Sequence, residues 1–322
     1  RPLIPPVFAC DRARAGGVKI SVVFVGTVED RGFNASALAD VVAARRTIDA
    51  EFDVVEGIPF VQDIILARLR ELASISDGAI IIGGQGNIAS PIVAAEYPDK
   101  RFAVVQGNVT APNLASYDVL QEQSAFLGGC LAGLYTSTGT VGHLSGHRVR
   151  PGLKGRAAFV AGVAHVAPNV EVLTGFCGTQ DDNVVTEKWA AAEIARGADV
   201  LFTMLNDARG GAIAACRRLG AKQIGNASDW TSSDPDVFIG SAIARIDLAV
   251  LQAAEDMVSG HMPGKIVKIG LSDGDAVSLA VHPDISPAIC ERIGSIAEGI
   301  KAKEIEIPDE YSGPEYTPEL VE

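Results

Sequence analysis

Cysteine is scarce in this chain and is spread widely along it. The five cysteines stand at positions 10, 130, 177, 216 and 290, with no C-x-x-C pair and no histidine at metal-ligand spacing. This pattern argues against a zinc site, and we predict that the protein uses no metal and no other cofactor. Cys130 lies in an apolar run and Cys216 in a helical pattern, so both are predicted to be buried thiols. The spacing neither predicts nor excludes disulfide bonds among the five cysteines.

Basic charge is also scarce. Lys and Arg number 27 against 40 Asp and Glu, which gives a net charge of -13 and a pI of about 4.9. Nucleic acids and anionic membranes attract clusters of basic residues, so we expect no nucleic-acid partner. No apolar stretch reaches the length of about 18 residues that indicates a membrane-spanning helix.

The signatures of catalysis and of phosphate binding are absent as well. The turn Gly83-Gly84-Gln85-Gly86 lacks the third glycine of a dinucleotide fingerprint, and no P-loop sequence occurs. There is no G-x-S-x-G elbow, and the five histidines follow no triad order. Asp181 and Asp182 precede a predicted helix, where paired carboxylates usually cap the N-terminus. We therefore predict a binding protein rather than an enzyme.

Alternating strands and helices dominate what is present. The length of 322 residues favours two lobes, and 48% hydrophobic residues with 34 glycines suit many short strand-to-helix turns. In the first half, strands are predicted over 18–25, 52–56, 78–82, 101–105 and 114–119, with helices over 35–50, 61–73 and 88–97 between them. This rhythm predicts a doubly wound parallel sheet.

A long apolar helix over 122–136 separates this half from a second one with the same rhythm. Its strands are predicted over 141–145, 170–174, 200–203 and 223–225, and its helices over 153–165, 187–196, 212–219 and 246–259. We predict an α/β fold with a first lobe of 18–121 and 240–270 and a second lobe of 122–239 and 271–322. Residues 1–17 form a leader or extended segment, and the proline-rich tail from 305 onward an extended wrap.

Two such lobes form a cleft at the carboxyl ends of their strands, where sheets of this kind bind ligands. The segment Asp30-Arg31-Gly32-Phe33-Asn34 lies there, between the first strand and the first helix. Its carboxylate, aromatic ring and amide suit a flat polar ligand. In the alternative interpretation Asn34 caps the helix and Phe33 packs on the core. The glycine turn that ends at Gly86 also points to the cleft.

Seven segments carry a recognisable pattern in the same order along the chain: 30–34, 97–103, 112–116, 122–129, 131–133, 197–200 and 227–229. Together they resemble the basic-membrane-protein family of ABC-transporter solute-binding proteins, which includes purine nucleoside receptors. The resemblance implies a type I periplasmic-binding-protein fold, with two lobes joined by a hinge. It also implies a small-molecule ligand that is delivered to an ABC permease in the membrane.

The resemblance further assigns roles to individual residues. Phe33 would stack on a purine base, Asn34 and Asp30 would hydrogen-bond to it, and Asp229 would accept hydrogen bonds from ribose hydroxyls or base N–H groups. Trp230 would close the other face of the base.

The sequence departs from the family pattern at four places, and at one of them Ala244 stands where relatives often carry a lysine. Gln106 stands where relatives often carry an aspartate, and Phe176 lies a few residues before the place of a missing aromatic. Asn206 opens a segment that replaces a glycine-rich turn. Gly86, Gln106, Phe176 and Asn206 join the residues named above as candidate ligand contacts.

The departures leave the ligand class open. A purine nucleoside or purine base is the first hypothesis; the alternatives are another nucleoside, a modified base or a sugar-like compound. A ligand sensor on the same fold and a nucleoside-cleaving enzyme are the rival functions. We expect a monomer in the periplasm or another extracytoplasmic space, with lipid attachment at Cys10 as an option.

Overall fold

The first sheet is built from apolar, β-branched runs that are buried on both faces. A computed structural model describes residues 17–29 and 33–319 of the chain. Its first-half strands are β1 (Val18–Val25), β2 (Ala50–Ile58), β3 (Gly78–Ile82), β4 (Arg101–Val105) and β5 (Leu114–Val119). The helices between them are α1 (Phe33–Thr47), α2 (Gln62–Ile75) and α3 (Ala89–Glu96). All pairings among these strands are parallel, as expected when helices cover both faces of a sheet.

The second sheet repeats this plan. It contains β6 (Thr140–Ser145), β7 (Glu171–Phe176), β8 (Val200–Met204), β9 (Lys222–Ala227) and β10 (Phe238–Ala244). Its helices are α4 (Gln121–Tyr135), α5 (Arg150–Val166), α6 (Asn183–Ala195), α7 (Arg209–Leu219) and the short α8 (Trp230–Ser233). The remaining elements are α9 (Ile246–Ser259), β11 (Ile266–Ile269), β12 (Val277–Val281) and α10 (Pro287–Lys301).

The chain crosses between the two sheets after β5, after β10 and after β11. The strand orders are β11-β5-β4-β3-β1-β2 and β12-β10-β9-β8-β6-β7. Two six-stranded sheets with this doubly wound order confirm the predicted α/β fold. One predicted boundary is wrong: residues 240–244 belong to the second sheet, because Gly240–Ala244 pair with β9 and β12. The chain returns to the first sheet only at Arg245.

Close packing of α4 on α5 fixes the core of the second lobe. A Cβ atom at Gly129 would lie 2.1 Å from the Phe159 carbonyl oxygen, and one at Gly162 would lie 2.1 Å from the Phe126 carbonyl oxygen. Only glycine allows the two helix backbones to approach so closely. Cys130 and Cys216 are buried free thiols, as predicted, and Cys177 and Cys290 are free as well.

Candidate functional site

The Asn34 side chain braces the turn after β1. Its Nδ2 donates hydrogen bonds to the Val25 carbonyl (3.1 Å) and to the Thr27 carbonyl (2.9 Å). Gly26, at the end of β1, has a φ of 87°, which favours glycine. Phe33 begins α1, is half-buried and packs against the core. The predicted contact Asp30 lies outside the described residues.

Gln106 joins the carboxyl ends of the neighbouring strands β4 and β5. It follows β4 with a φ of 60°, which is uncommon for a residue other than glycine. Its Nε2 donates to the Val119 carbonyl at 3.1 Å, and its Oε1 accepts from the Val119 N–H at 2.6 Å. The Gln106 amide therefore acts as an added strand residue that joins β4 to β5.

Gly86 lies nearby in a 3₁₀ turn (Gly84–Asn87) that follows β3. It is buried there, and a Cβ atom at this position would lie 2.7 Å from Ile81 Cγ2. Close packing on β3 is thus sufficient reason for a glycine at this position.

Charged contacts join the two lobes where β5 ends. Asp118 of β5 is buried, and its Oδ2 lies 3.5 Å from Lys154 Nζ and 3.6 Å from the Arg150 guanidinium, both on α5. Lys154 also pairs with Glu122 at 2.5 Å. Since α5 follows the carboxyl end of β6, these pairs bring the carboxyl-end edges of the two sheets together. A cleft between those edges is the arrangement that the sequence predicts.

Asp229 and Trp230 lie at the carboxyl end of β9. Asp229 caps α8: its Oδ1 accepts from the Thr231 N–H at 2.9 Å, and its Oδ2 accepts from the Ser232 hydroxyl at 2.8 Å. Burial alone would raise the pKa of Asp229, but hydrogen bonds from Thr231 and Ser232 lower it below the ordinary value. The carboxylate is therefore ionised at neutral pH, and it is half-buried.

The Trp230 indole is held from several sides. Its Nε1 donates to the Asn226 carbonyl at 3.2 Å. The Phe238 ring lies 5.5 Å away between centroids, and the Arg209 guanidinium lies 4.6 Å from the indole centroid. These contacts fix the ring against its own lobe.

Asn206 and Arg209 follow β8. A cavity of about 430 Å³ lies at the N-terminal ends of α6 and α7, and Asn206, Arg209 and Trp230 are in its wall. This volume is in the range of small-molecule sites. Arg209 was not predicted from the sequence, although an arginine within the segment that replaces the glycine-rich turn was an available signal.

Phe176, at the end of β7, is covered by cations from its own lobe. The guanidinium carbons of Arg148 and Arg156 lie 4.7 Å and 5.1 Å from its ring centroid. Both arginines pair with Glu315 of the C-terminal tail. The tail also pairs with β7, the edge strand, since the Tyr316 N–H donates to the Thr174 carbonyl at 2.8 Å. The predicted wrap of the tail is therefore a structural cover for this strand.

The predicted residues thus form two groups. Phe33, Asn34, Gly86 and Gln106 lie at the carboxyl ends of the first sheet, and Phe176, Asn206, Asp229 and Trp230 at those of the second. Within the described residues, no three His, Cys, Asp or Glu side chains gather as a metal site would require. The same part of the chain contains no helix with the length and hydrophobicity of a membrane span.

Comparison with known proteins decides the family. A profile described as "ABC transporter substrate-binding protein PnrA-like" (Bmp) matches residues 17–311. The chain belongs to this family. The match confirms the resemblance to basic membrane proteins that the ordered motifs indicate. Members bind substrates for ABC transporters and are not enzymes, which agrees with the prediction from the missing catalytic motifs.

Individual relatives agree with this assignment. The chain is 26% identical over 312 residues to a CD4+ T-cell-stimulating antigen of Listeria monocytogenes, covering 89% of this chain and 87% of that protein. It is 25% identical over 304 residues to basic membrane protein A of Borreliella burgdorferi, covering 90% and 87%.

A solved structure shares the fold. The ABC-transporter solute-binding protein of Aeropyrum pernix K1 superposes with a TM-score of 0.78 at 21% identity, covering 90% of this chain and 92% of that one. This match shows the two-lobe type I fold. Membership of the Bmp family gives the chain an extracytoplasmic substrate-binding role, with a small-molecule ligand and a membrane ABC permease as partners.

Proposed function

We propose that this substrate-binding protein captures a nucleoside-like ligand, a purine nucleoside or a purine base, in the cleft between its lobes. The ligand docks on one lobe and shifts the population toward a closed state that both lobes contact. The permease then recognises the closed form. The PnrA-like description of the family is consistent with this ligand class.

The observation that supports the proposal most is the pair formed by Asp229 and Trp230. An ionised, half-buried carboxylate accepts hydrogen bonds from the hydroxyls of a ribose or from ring N–H groups. The neighbouring indole provides apolar surface whose position is already fixed by Arg209 and Phe238. Preorganised groups of this kind reduce the entropy cost of binding.

The first lobe contributes the half-buried Phe33 ring to the proposed site. The Asn34 side chain bonds to the Val25 carbonyl and the Gln106 side chain to the Val119 backbone, so we assign them the support of the strand ends that line the cleft. Asp30 is proposed as a further contact on the family resemblance alone.

Calorimetric titration tests the proposal. Adenosine, guanosine, inosine, free purines and pyrimidine nucleosides are titrated into the purified protein, and the purine compounds are expected to give binding heat. Asp229→Asn removes the charge but keeps an oxygen to cap α8, so we expect it to weaken binding at least about tenfold. The matched control is Asp234→Asn at the other end of α8, which should leave the affinity unchanged. Absence of heat from every nucleoside and base would reject the proposed ligand class.

The alternative ligands are another nucleoside, a modified base or a sugar-like compound, and a sensor role on the same fold is the alternative function. We also propose that the protein acts as a monomer and that Cys10, outside the described residues, is a candidate for lipid attachment. Size-exclusion chromatography with light scattering tests the first point, and intact-mass measurement of the protein from its native membrane tests the second.

A further inference from the structure

Three buried charged side chains flank the first crossing between the lobes. Asp118 lies near the end of β5 in the first lobe, and Glu122 lies in the first turn of α4 in the second. Lys154 of α5 lies between them: its Nζ is 2.5 Å from Glu122 Oε1 and 3.5 Å from Asp118 Oδ2. None of the three side chains is more than 12% exposed. One cation therefore connects carboxylates that stand on opposite sides of the crossing.

Two of these groups belong to the same lobe and move together. The backbones of α4 and α5 are in close contact at Gly129 and Gly162, so Glu122 and Lys154 keep their positions relative to each other. Asp118 belongs to the other lobe. A rotation of the lobes about the crossing changes the distance between Asp118 and Lys154, but it leaves the Glu122–Lys154 pair intact. The Asp118–Lys154 contact is therefore the one that resists separation of the lobes.

Burial strengthens the attraction between these charges. Charges that are shielded from water attract one another more strongly than exposed charges, and salt screens them less. Glu122 already holds the Lys154 ammonium group in place, which reduces the entropy cost of its contact with Asp118. The guanidinium of Arg150, also on α5, adds a second cation 3.6 Å from Asp118 Oδ2.

Another ion pair also joins the lobes, but it is open to solvent. Arg245, at the second crossing, lies 3.0 Å from Asp275 of the second lobe. The Asp275 side chain is 81% exposed and that of Arg245 is 39% exposed. Solvent screens such pairs, and they contribute little to stability. The Arg245–Asp275 pair therefore provides a matched comparison for the buried one.

We infer that Asp118 and Lys154 form an electrostatic latch, which holds the two lobes close together and sets how much of the ligand-free protein is closed. The latch forms when the Lys154 ammonium group, held by Glu122, meets the Asp118 carboxylate. A ligand then has to supply only the remaining free energy of closure. This role is independent of the ligand class, so it goes beyond the proposed nucleoside function.

Small-angle X-ray scattering of the ligand-free protein tests the latch. Asp118→Asn removes the charge on one side of the crossing and leaves Lys154 paired with Glu122, so the second lobe keeps its own ion pair. We expect this variant to have a larger radius of gyration than the wild type. Lys154→Met should show at least the same increase, because it leaves two carboxylates facing each other. Lys154→Arg, which keeps the charge, should remain close to the wild type.

Asp275→Asn is the matched control and should leave the radius of gyration unchanged, while circular dichroism establishes that each variant is folded. An unchanged radius of gyration in folded Asp118→Asn would overturn the inference. Equal increases in Asp118→Asn and Asp275→Asn would also overturn it, because burial would then make no difference. Equal increases in Lys154→Arg and Lys154→Met would show that shape decides rather than charge, with the same consequence. The nucleoside titrations decide the proposed function separately.

Discussion

The two lobes share one strand order but treat buried charge differently. In the first lobe and its returning helix, the buried carboxylates Asp118 and Asp247 both pair with cations, Lys154 and Arg245. In the second lobe, Arg156 is buried and paired with Glu315, whereas Glu193, whose neutral form is favoured by burial, and Arg209 have no ion-pair partner among the described residues. The carboxyl ends of the first sheet are instead joined by neutral amides, those of Asn34 and Gln106.

The two lobes therefore contribute different groups to the cleft. In the first lobe, the amides of Asn34 and Gln106 brace the strand ends at the cleft, and the last strand β11 runs parallel to β5. The second lobe ends in the antiparallel strand β12 and keeps uncompensated charge close to the proposed site. Uncompensated charge costs folding free energy, and it is a common feature of functional sites.

The largest effect on the free energy of unfolding should come from removing the Gln106 side-chain amide, which joins β4 to β5. Gln106→Leu removes both hydrogen bonds to Val119 and leaves the Val119 N–H and carbonyl unpaired. It also keeps a bulky residue at a φ of 60°. We expect a loss of about 3 kcal/mol in the free energy of unfolding, measured by urea denaturation. Gln106→Gly is the matched control: it loses the same bonds but relieves the backbone strain, so it should be less harmful. Equal stability of Gln106→Leu and the wild type would refute the bracing role.

The second effect concerns the buried carboxyl group of Glu193. Burial raises its pKa well above the ordinary 4.5, so the folded protein keeps the proton that the unfolded chain releases. The stability that depends on protonated Glu193 is therefore fully present below about pH 4.5. It declines as the pH rises toward the raised pKa, at roughly 1.4 kcal/mol per pH unit. Glu193→Gln cannot ionise and should therefore be more stable than the wild type at pH 8, with no gain at pH 4.5.

Denaturation at a series of pH values measures this difference. Glu187→Gln on the same helix is the control: Glu187 is partly exposed and paired with the exposed Arg218, so its removal should change the stability by only a few tenths of a kcal/mol. A wild-type stability that rises between pH 5 and pH 8, relative to Glu193→Gln, would show that Glu193 is ionised in the folded protein.

A smaller effect is expected from the tail that covers β7. Hydrogen bonds from Arg148 and Arg156 lower the pKa of Glu315 to about 2. The stability that this pairing provides is present above the ordinary pKa of 4.5 and is lost as the pH falls toward 2. Because a third of the Glu315 side chain is exposed, solvent screens the pairs, and we expect Glu315→Gln to cost about 1 kcal/mol at pH 7.

Thermal denaturation at pH 7 and at pH 3 checks the tail prediction. The cost of Glu315→Gln should shrink at the lower pH, while the control Glu310→Gln, an exposed residue of the same tail, should have little effect at either pH. An undiminished cost at pH 3 would argue that shape, not charge, holds the tail.

Much of the fold followed from hydrophobic periodicity, because long, fully buried runs such as β1 and β3 have few competing interpretations. The strands that were not predicted are short or rich in small residues. β10 contains Gly240, Ser241 and Ala242, and β11 has only four residues. The helix α10 did carry a readable signal, with Ser286 as its cap, Pro287 at its start and isoleucines on one face.

The candidate site could be placed by sequence only to the level of strand ends. The turns after β1, β3 and β9 were identified from their glycines and polar residues. The sequence does not show which hydrogen-bond partner each of these side chains has in the folded chain. Gln106 pairs with Val119, thirteen positions away, and Arg209 with Asn226, seventeen positions away. Both depend on strand neighbours that only the folded chain defines.

The most direct test of the nucleoside proposal is a competition experiment read by native mass spectrometry. The purified protein is incubated with equal concentrations of purine nucleosides, pyrimidine nucleosides and hexoses, and the mass of the retained ligand identifies it. The account predicts that a purine nucleoside is retained by the wild-type protein and is lost in Asp229→Asn. Retention of a hexose alone, or of no compound in the mixture, would contradict it.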